Sequence, residues 1–371
     1  MAGLKLLVVN AGSSSVKLRL LDGDDSLLAE RDLGTRRGGV DEGQLLDSVG
    51  GWEPDVVAHR VVHGGRLFRA AVRVDAQVRN QLDALTDLAP LHQPKSLAGL
   101  DAVSRALPGV PTIACFDTAF HATLPEAAST YALPAALRER FGARRYGFHG
   151  LSHAYVSGRA AELLDRPSEG LRVVTCHLGA GASLAAVRDG RSLDTTMGFT
   201  PLEGLVMATR SGSVDPGLIL WLLERQRITE PEMAEVLEHE SGLLGLAGTP
   251  DMREVLARAE AGDAGAALGL EVYSHRLRAG IAAMAAALGG LDALVFTGGV
   301  GENAPKVRAG GAEGLAFLGV GLDQERNRSA RGDSDIGAAG APVRSLVVAA
   351  REDLEIARQV RALLRPAGGV A

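Results

Sequence analysis

Cysteine and long apolar runs are scarce in this chain, and their scarcity excludes several classes of protein. The 371 residues include only two cysteines, Cys115 and Cys176, each within an apolar strand-like segment. This placement favours buried structural thiols over a disulfide framework, a metal site or a nucleophile. No apolar run reaches the ~18 residues of a membrane-spanning helix, and the first residues lead into a strand without a signal peptide. We therefore expect a cytoplasmic protein.

Positive charge is also limited. Lysine and arginine total 39 residues against 45 aspartates and glutamates, for a net charge of −6. This balance and the lack of a basic tract argue against nucleic acid or membrane partners. Only four of the basic residues are lysines, so arginine must perform most anion recognition. A hydrophobic content of 46% is typical of soluble globular proteins, and the length favours two domains.

The first segment with a functional pattern runs from Leu4 to Leu21. An apolar run, Leu6–Val9, leads into the turn Asn-Ala-Gly-Ser-Ser-Ser, and an alternating run follows from Val16. Two strand-like runs around a Gly/Ser-rich turn predict a β-hairpin. Its small turn residues allow backbone N–H groups and hydroxyls to close on an anion, with Lys17 adding charge. No Walker A sequence occurs in the chain.

A similar hairpin follows later in the chain. A shift of 167 residues places Leu6–Val9 over Val173–Cys176 and Gly12 over Gly179, and the Asp-Gly pairs that end the two hairpins also coincide. Strand, small-residue turn and strand recur in the same order, which indicates a duplicated domain. Two such hairpins could bind the phosphates of a nucleotide between two lobes. Chance similarity between Gly-rich hairpins is the alternative.

The rest of the chain alternates strand and helix patterns, which predicts α/β lobes. Residues 22–52 are polar and Gly-rich and are expected to be an exposed connection with one short helix. Residues 195–218 are dense in Gly, Thr and Pro, and an irregular loop of that length is usually functional. Strands are predicted at 54–63, 111–116, 291–297 and 343–349, and helices at 77–91, 97–107, 219–226, 231–239, 252–261, 264–287, 352–364 and from Ser152.

Taken together, the motifs resemble those of the acetate kinase family, within the larger class of acetate and sugar kinases, Hsp70 and actin. The resemblance implies an α/β fold of two duplicated actin-like ATPase (ribonuclease H-like) lobes around a nucleotide cleft. It implies a first lobe of residues 1–117 plus 352–371, and a second lobe of 118–351 that binds nucleotide and forms a homodimer. The motifs are Val9–Lys17, Ala58–Gly65, Phe116–His121, Tyr146–His153, Phe296–Asn303, and Thr209–Gly212 with Asp215-Pro216.

The family's reaction is reversible transfer of the ATP γ-phosphoryl group to acetate, giving acetyl phosphate and ADP. The resemblance thus implies a phosphotransferase with a carboxyl acceptor that uses Mg²⁺, with Mn²⁺ as a substitute. The attacking carboxylate is already ionised at pH 7, so no general base is needed. Catalysis should rest on fixed cations, hydrogen-bond donors and in-line positioning, because two anions must approach each other.

The resemblance assigns the catalytic roles to four residues. Arg60 binds the substrate carboxylate, and the planar guanidinium suits that task. Arg210 and His149 stabilise the transferring phosphoryl group in the transition state, and Asp117 completes the set. His149 and His153 also have the i,i+4 spacing of a zinc pair, but the sequence offers no third ligand.

Mg²⁺ is assigned to Asn10 and Glu352, with Asp117 and Ser13 as further positioners. Asp117 ends a predicted strand, where a carboxylate can point into a crevice. Glu352 has a second interpretation as a helix N-terminal acid stabilised by the helix dipole.

The remaining assignments concern the acyl group and the nucleotide. Val62, Leu91, Phe148 and Pro201 correspond to the pocket for the methyl group. A methylene group changes discrimination by only ~1–3 kcal/mol, so propionate is an expected second substrate. The implied nucleotide contacts are Ser13, Lys17, His177, Leu178, Gly179, Ala180, Gly181, Asp251, Met252, Arg253, Gly298, Gly299, Val300, Gly301, Glu302 and Asn303.

The sequence departs from the family pattern at a few positions. Ala180 replaces an asparagine, Ser213 an aspartate and Arg351 an asparagine, which predicts weaker nucleotide binding without loss of activity. Three alternatives stay open: a sibling kinase that prefers propionate or butyrate, a catalytically inactive nucleotide-binding paralogue, and a non-catalytic binding protein of the Hsp70 or actin kind. The last leaves Arg60, His149 and Arg210 without a task.

Overall fold

A computed structural model describes residues 3–11, 15–34, 42–89 and 93–365. The described residues form two compact units. The first unit comprises the chain through Ala122, the segment Gly150–Tyr155 and the C-terminal segment from Arg351, and the second comprises Thr123–His149 and Val156–Ala350. Across these described ranges, no helix combines the length and the apolar character needed to cross a bilayer.

The first unit contains a six-stranded mixed sheet. Its strand order is β3-β2-β1-β4-β6-β5, in which β1, β4 and β6 are parallel and the other strands pair antiparallel. The strands are β1 (Leu6–Ala11), β2 (Ser15–Leu21), β3 (Leu27–Gly34), β4 (Val56–Val61), β5 (Val72–Arg73) and β6 (Thr112–Phe116), and the helices of the chain before residue 122 are α1 (Glu42–Val49), α2 (Ala76–Asp83) and α3 (Gln93–Ala106).

The second unit has a sheet with the same topology. In its order, β9-β8-β7-β10-β12-β11, the strands β7, β10 and β12 are parallel and the other strands pair antiparallel. The strands are β7 (Arg172–Leu178), β8 (Ala182–Arg188), β9 (Arg191–Thr195), β10 (Ala293–Thr297), β11 (Ser334–Asp335) and β12 (Arg344–Val347).

The remaining helices are mostly in the second unit. The boundary between the units falls within the helix Gly150–Leu163, and the helix Glu352–Leu364 belongs to the first unit. They are α4 (Glu126–Ser129), α5 (Ala135–Phe141), α6 (Gly150–Leu163), α7 (Pro216–Arg225), α8 (Glu230–Glu235), α9 (Gly242–Ala247), α10 (Met252–Glu260), α11 (Ala264–Leu288), α12 (Gly298–Asn303), α13 (Pro305–Ala312), α14 (Gln324–Ser329) and α15 (Glu352–Leu364).

The duplication predicted from the sequence is confirmed in detail. The shift of 167 residues moves β2 onto the limits of β8. A pair of backbone and side-chain hydrogen bonds at the start of β1 also recurs at the start of β7. Lys5 N–H donates to Asp55 Oδ2 at 2.7 Å, and Asp55 N–H donates back to the Lys5 carbonyl. Arg172 and Asp292 exchange the same two bonds, with Arg172 N–H 2.9 Å from Asp292 Oδ2.

Both faces of the central strand β1 are buried in the first sheet. Leu6 and Val8 of β1 pack with Ile356 of α15, whereas Leu7 and Val9 lie in the cluster on the opposite face, which includes α1 and α3. Side chains alternate between faces along a strand, so a strand covered on both faces reads as a continuous apolar run. The helix at the end of the chain therefore completes the core around the first strand.

The expectation that residues 22–52 form a plain connection was wrong. The segment contains β3, which pairs with β2 along its whole length, as well as the expected short helix, α1. β3 is an edge strand. Most of its side chains are exposed, and Leu33 is its one buried residue. Exposed edge strands carry charged side chains and therefore show no apolar alternation. The Gly-rich segment after β10 was not predicted to be helical, yet it forms α12.

Several predicted helices and strands are confirmed with small changes of their ends. α15 has the predicted limits, and within the predicted loop 195–218 no helix or strand lies between the end of β9 at Thr195 and the start of α7 at Pro216. The helix predicted over 77–91 ends as α2 at Asp83, and a 3₁₀ turn follows at Thr86–Leu88. The last residues of that prediction lie outside the described ranges.

His59 on β4 predicts a measurable pH dependence of stability. Its side chain is buried, and Nε2 has no hydrogen-bond partner within the described residues. Burial lowers the His59 pKa from 6.5 to about 3, despite the opposing charge of Asp101. Between these values only the unfolded chain takes up the proton, so the free energy of unfolding should fall by ~1.4 kcal/mol per pH unit as the pH drops below 6.5.

Urea unfolding of wild type and H59L between pH 7 and pH 5 measures this effect. We expect the wild type to lose about 2 kcal/mol more than H59L between pH 6.5 and pH 5. The exposed His275 of α11 supplies the control, and H275L should behave as the wild type. Equal slopes for wild type and H59L would contradict the prediction.

Candidate functional site

Four predicted site residues come together at one edge of the first sheet. Asn10 lies near the end of β1, Arg60 near the end of β4, and Asp117 directly after β6. These strands are adjacent and parallel, so their carboxyl ends meet at the same edge. Glu352 begins α15, whose side chains pack on the same sheet. Sequence positions up to 342 residues apart are thereby joined in one cluster.

The cluster is connected by short hydrogen bonds. Arg60 Nε and Nη2 donate to Asp117 Oδ1 and Oδ2 at 2.9 and 2.5 Å, which is the bidentate geometry of a strong pair. Arg60 Nη1 lies 3.3 Å from Asn10 Oδ1, and Asn10 Nδ2 donates to Glu352 Oε2 at 2.6 Å. The guanidinium is therefore held in one orientation.

Electrostatics keep Arg60 charged at this edge. Burial disfavours its charged form, but the nearby carboxylates of Asp117 and Glu352 outweigh burial and raise the Arg60 pKa above its ordinary value. The side chains of Arg60 and Asp117 are only 13% and 2% exposed. The site thus presents a fixed cation whose Nε–Nη2 edge is held by Asp117 and whose Nη1 and Nη2 carry further N–H donors for an anion.

The oxygen atoms of this cluster fit Mg²⁺ in a limited way. Asp117, Glu352 and Asn10 supply the carboxylate and amide oxygens that Mg²⁺ prefers, and Mg²⁺ usually keeps several waters and few protein ligands. Both Asp117 oxygens accept from Arg60, Asn10 Oδ1 lies 3.3 Å from Arg60 Nη1, and Glu352 Oε2 accepts from Asn10, so these oxygens are already engaged within the cluster. In the described part of the chain, no three His, Cys, Asp or Glu side chains are grouped as a metal site. The donors fit a Mg²⁺ that is bound mainly through water and phosphate.

A second cluster forms around the hairpin of the second unit. His149 Nδ1 lies 2.9 Å from Ser183 Oγ, and the His149 ring stacks on the His177 ring at 4.4 Å between centroids. His177 and Ser183 face each other across β7 and β8. His149 precedes α6 with φ of 54°, a left-handed conformation that is costly for a non-glycine residue and is often found at functional sites.

The turn of this hairpin lies directly against two of the predicted catalytic side chains. A Cβ added at Gly181 would lie 3.2 Å from His149 Nε2 and 3.4 Å from Arg210 Nη1. Arg210 Nη1 also donates to the Pro201 carbonyl at 3.3 Å. Burial lowers the Arg210 pKa, with Glu238 acting in the opposite direction. An imidazole, a guanidinium and a bare backbone turn therefore lie side by side.

The segment Gly298–Asn303 packs against the end of β7. Gly298 has φ of 79°, and a Cβ there would lie 2.7 Å from the Leu178 carbonyl oxygen, so glycine is required. The Glu302 carboxylate accepts the N–H groups of Gly298 and Ala350, both at 3.0 Å. Asn303 Nδ2 donates to the Gly299 carbonyl at 2.9 Å. These two polar side chains hold the segment itself in shape.

Sequence reasoning missed Arg308, whose side chain hydrogen-bonds to the backbone of this segment. The side chain is 1% exposed, and Nη1 donates to the carbonyls of Gly301 and Glu302 at 2.9 and 2.8 Å. Nε donates to Asn327 Oδ1 at 2.7 Å. Burial lowers the Arg308 pKa to about 10. In an arginine-rich chain a single arginine gives no signal, so only its contacts reveal the role.

The other predicted residues lie in several environments. Asp251 caps α10 and pairs with Arg253, whose Nη2 lies 2.5 Å from Oδ2, and these hydrogen bonds lower the Asp251 pKa to about 2. Met252 is buried. Lys17 is exposed on β2, opposite Asn10. Val62, Phe148 and Leu178 are buried, Pro201 and Gly179 are half-buried, Ala180 is exposed, and Ser13 and Leu91 lie outside the described residues.

Known proteins are similar to this chain over most of its length. The model of the Acetokinase family matches residues 51–358. An acetate kinase of Gloeobacter violaceus is 46% identical over 96% of this chain and 98% of its own length. An acetate kinase of Leifsonia xyli subsp. xyli is 47% identical over 95% of this chain and 97% of its own length.

Solved structures of related kinases have the same fold as this chain. The acetate kinase of Porphyromonas gingivalis matches with a TM-score of 0.88 and 36% identity over 97% of this chain and 100% of that chain. A propionate kinase of Francisella tularensis subsp. tularensis matches with a TM-score of 0.88 and 36% identity over 97% and 99%. The predicted fold class, two similar lobes of the actin-like ATPase type, is thereby confirmed, and this chain belongs to the acetokinase family.

Proposed function

We propose that this protein is an acetate kinase, which transfers the γ-phosphoryl group of ATP reversibly to acetate and forms acetyl phosphate and ADP. The observation that carries the proposal is the Arg60 guanidinium, fixed by Asp117 and Asn10 at the edge of the first sheet. Family membership supports the same reaction. The protein's nucleotide substrates are abundant in the cytoplasm, which is the proposed location.

In this proposal the first unit binds the carboxylate acceptor. Acetate is ionised at neutral pH, and the further N–H groups on Nη1 and Nη2 of Arg60, beyond those bonded to Asp117, would donate to it. Asp117 holds Arg60 in place and prevents the side chain from moving with the substrate. The carboxylate is itself the nucleophile, so no group of the protein must remove a proton.

The second unit binds the phosphoryl donor. His149 and Arg210 donate to the equatorial oxygens, where negative charge spreads in the transition state. Ser183 fixes the orientation of the His149 ring through Nδ1. The turn at Gly181 brings backbone close to both side chains, and α12 and the start of α10 supply the proposed contacts to the rest of the nucleotide.

Asn10, Asp117 and Glu352 would hold Mg²⁺, or Mn²⁺ in its place, and Lys17 and Ser13 of the first hairpin would contact the phosphates of the nucleotide. The metal supplies neutralisation of charge on the phosphate oxygens. The chain's own contribution is to fix Glu352, which accepts from Asn10 at 2.6 Å.

The departures from the family pattern are accommodated structurally. Ser213 Oγ accepts the N–H of Gly204 at 3.1 Å and so closes the loop there. Arg351 pairs with Asp353 at 2.8 Å and leaves the Glu352–Asn10 bond in place. Ala180 lies exposed at the turn, and we propose weaker nucleotide binding as its only consequence. These contacts favour an active enzyme over an inactive paralogue.

A kinase that prefers propionate is the second candidate. The solved propionate kinase and the solved acetate kinase match this chain with the same TM-score and identity, so overall similarity does not separate them. The proposal assigns Val62, Leu91, Phe148 and Pro201 to the methyl pocket. One methylene group changes the selectivity by about 10- to 200-fold, and the assay below ranks the acids.

We also propose that the protein is a homodimer through α7. The helix has the sequence PGLILWLLER, yet none of its residues is buried. Leu218, Leu220 and Trp221 are 47, 59 and 50% exposed, with Val214 close by in the chain at 43%. Several exposed large apolar side chains on one helix are unusual for a surface that faces only water, and they are typical of a protein interface. A second copy is the occupant that the family resemblance implies.

The first test of the proposed reaction is acyl phosphate formation, trapped with hydroxylamine, for wild type and R60A with MgATP and acetate, propionate or butyrate. We expect the wild type to turn over acetate fastest and R60A to lose at least about 100-fold, because a fixed donor to the reacting groups is removed. R60K keeps the charge without the fork and should recover only part of the activity.

Arg79 provides the matched control for that test. It forms a bidentate pair with Asp101 in the same unit, with both distances 2.8 Å. R79A should stay within about twofold of the wild type, as substitutions away from a site usually do. No turnover of any acid by a wild type that binds ATP would overturn the kinase proposal, and faster turnover of propionate would favour the second candidate.

The dimer proposal is tested by sedimentation velocity of wild type, W221E and F317E. Trp221 is half-exposed, so the substitution should leave the fold intact and dissociate the dimer by placing charge in the interface. Phe317 is 75% exposed on the 3₁₀ turn Ala316–Leu318, and F317E should remain dimeric. A monomeric wild type, or a dimeric W221E, would refute an interface at α7.

A further inference from the structure

One carboxylate of the second unit, that of Glu203, joins three parts of the chain. Tyr131 Oη donates to Oε2 at 2.6 Å, and Arg145 Nη2 donates to Oε1 at 2.7 Å. Burial raises the Tyr131 pKa, and the hydrogen bond to Glu203 acts in the same direction. The phenol therefore stays protonated and remains a donor at any physiological pH. Each carboxylate oxygen has a donor from a different segment.

The same three side chains enclose the start of the loop 196–203. A Cβ at Gly198 would overlap Glu203 Oε2 and Tyr131 Oη, so only glycine fits. The Phe199 N–H donates to Tyr131 Oη at 2.8 Å, and Arg145 Nη1 donates to the Thr196 carbonyl at 3.1 Å. The loop backbone is thus bonded to the side chains that Glu203 holds.

This loop contacts the proposed catalytic residues on two sides. The Gly198 carbonyl accepts the N–H groups of Tyr146 and Gly147 at 3.0 and 3.2 Å, directly before Phe148 and His149. Three residues further along the loop, the Pro201 carbonyl accepts from Arg210 Nη1. The position of the loop therefore determines both the backbone that carries His149 and one anchor of Arg210.

We propose that Glu203 is a positioning residue: with Tyr131 and Arg145 it fixes the loop 196–203 and thereby sets where Phe148, His149 and Arg210 lie relative to one another. The inference rests on the proposed phosphotransfer, in which the last two stabilise the transition state. Charge-assisted hydrogen bonds to one carboxylate are strong and directional, and donors in an active site need placement within about 0.5 Å.

A positioning role has a signature that a purely structural role lacks. Misplaced transition-state donors lower kcat, whereas nucleotide contacts at α10 and α12 lie in other segments and keep the KM for ATP. The proposed methyl-pocket residues Phe148 and Pro201 lie next to the bonded backbone, so the ratio of propionate to acetate turnover should also change. Simple loss of stability would reduce the activity with all acids in proportion.

The experiment compares E203Q and Y131F with wild type and D292N in the hydroxylamine assay, with thermal unfolding of each protein. E203Q keeps the shape and loses the charge, and Y131F removes one donor while the Arg145 pair stays. Asp292 is the matched control, because its carboxylate accepts from the Arg172 side chain at 3.0 Å and from the Arg172 N–H. It lies at the opposite end of β7 from the hairpin turn.

We expect E203Q to lose about 10- to 100-fold in kcat, with Y131F intermediate, an ATP KM within twofold of wild type and at least a threefold change in the propionate to acetate ratio. D292N should keep the wild-type kinetic constants. Activity of E203Q and Y131F equal to that of D292N, or a proportional loss with all acids, would overturn the inference. An inactive wild type would instead refute the proposed function. Should E203Q not fold, Y131F decides.

Discussion

The bidentate pair between Arg60 and Asp117 is the interaction on which the first cluster depends. It joins the ends of β4 and β6, and both side chains are almost fully removed from water. A buried ion pair adds little net stability, because the cost of desolvation offsets the attraction, but removal of one partner leaves an uncompensated charge. Its value therefore lies in orientation: Asp117 holds the cation that also contacts Asn10, and Asn10 in turn bonds Glu352.

The second unit uses the same sheet topology for different chemistry. The residue that corresponds to Asn10 after the shift of 167 is His177, and the opposing strand supplies Ser183 where the first hairpin has Lys17 opposite Asn10. In the first unit Asn10 contacts the Glu352 carboxylate and the Arg60 guanidinium, whereas in the second unit His177 and Ser183 contact the imidazole of His149. Duplication preserved the backbone frame, which depends on apolar alternation and strand pairing, and left the polar residues at the strand ends to diverge.

The contrast between regular apolar patterns and variable polar residues also explains which features could be predicted from the sequence. The hairpins β1–β2 and β7–β8 and the helix α15 follow from apolar periodicity, and the resemblance singled out Arg60 and Asp117. The edge strand β3 was not predicted, because its mostly exposed side chains show no apolar alternation. The hydrogen bonds of Glu203 with Tyr131 and Arg145, and the role of Arg308, were not predicted for another reason. Tyr131 and Glu203 are 72 residues apart, and a single sequence holds no signal for a contact between polar residues at that separation.

The cations that are buried or half-buried in these clusters are arginines, in keeping with the scarcity of lysine in the sequence. Arg60, Arg145, Arg210 and Arg308 all donate from half-buried or buried positions to acceptors in fixed directions. Burial lowers the pKa of Arg308 only to about 10, so its charge persists at neutral pH. A lysine begins with a pKa near 10.4, so burial to the same degree would bring its pKa much closer to neutrality. It also lacks the planar fork that satisfies two acceptors at once. Arginine is therefore the cation that can be buried in these positions and still act on anions.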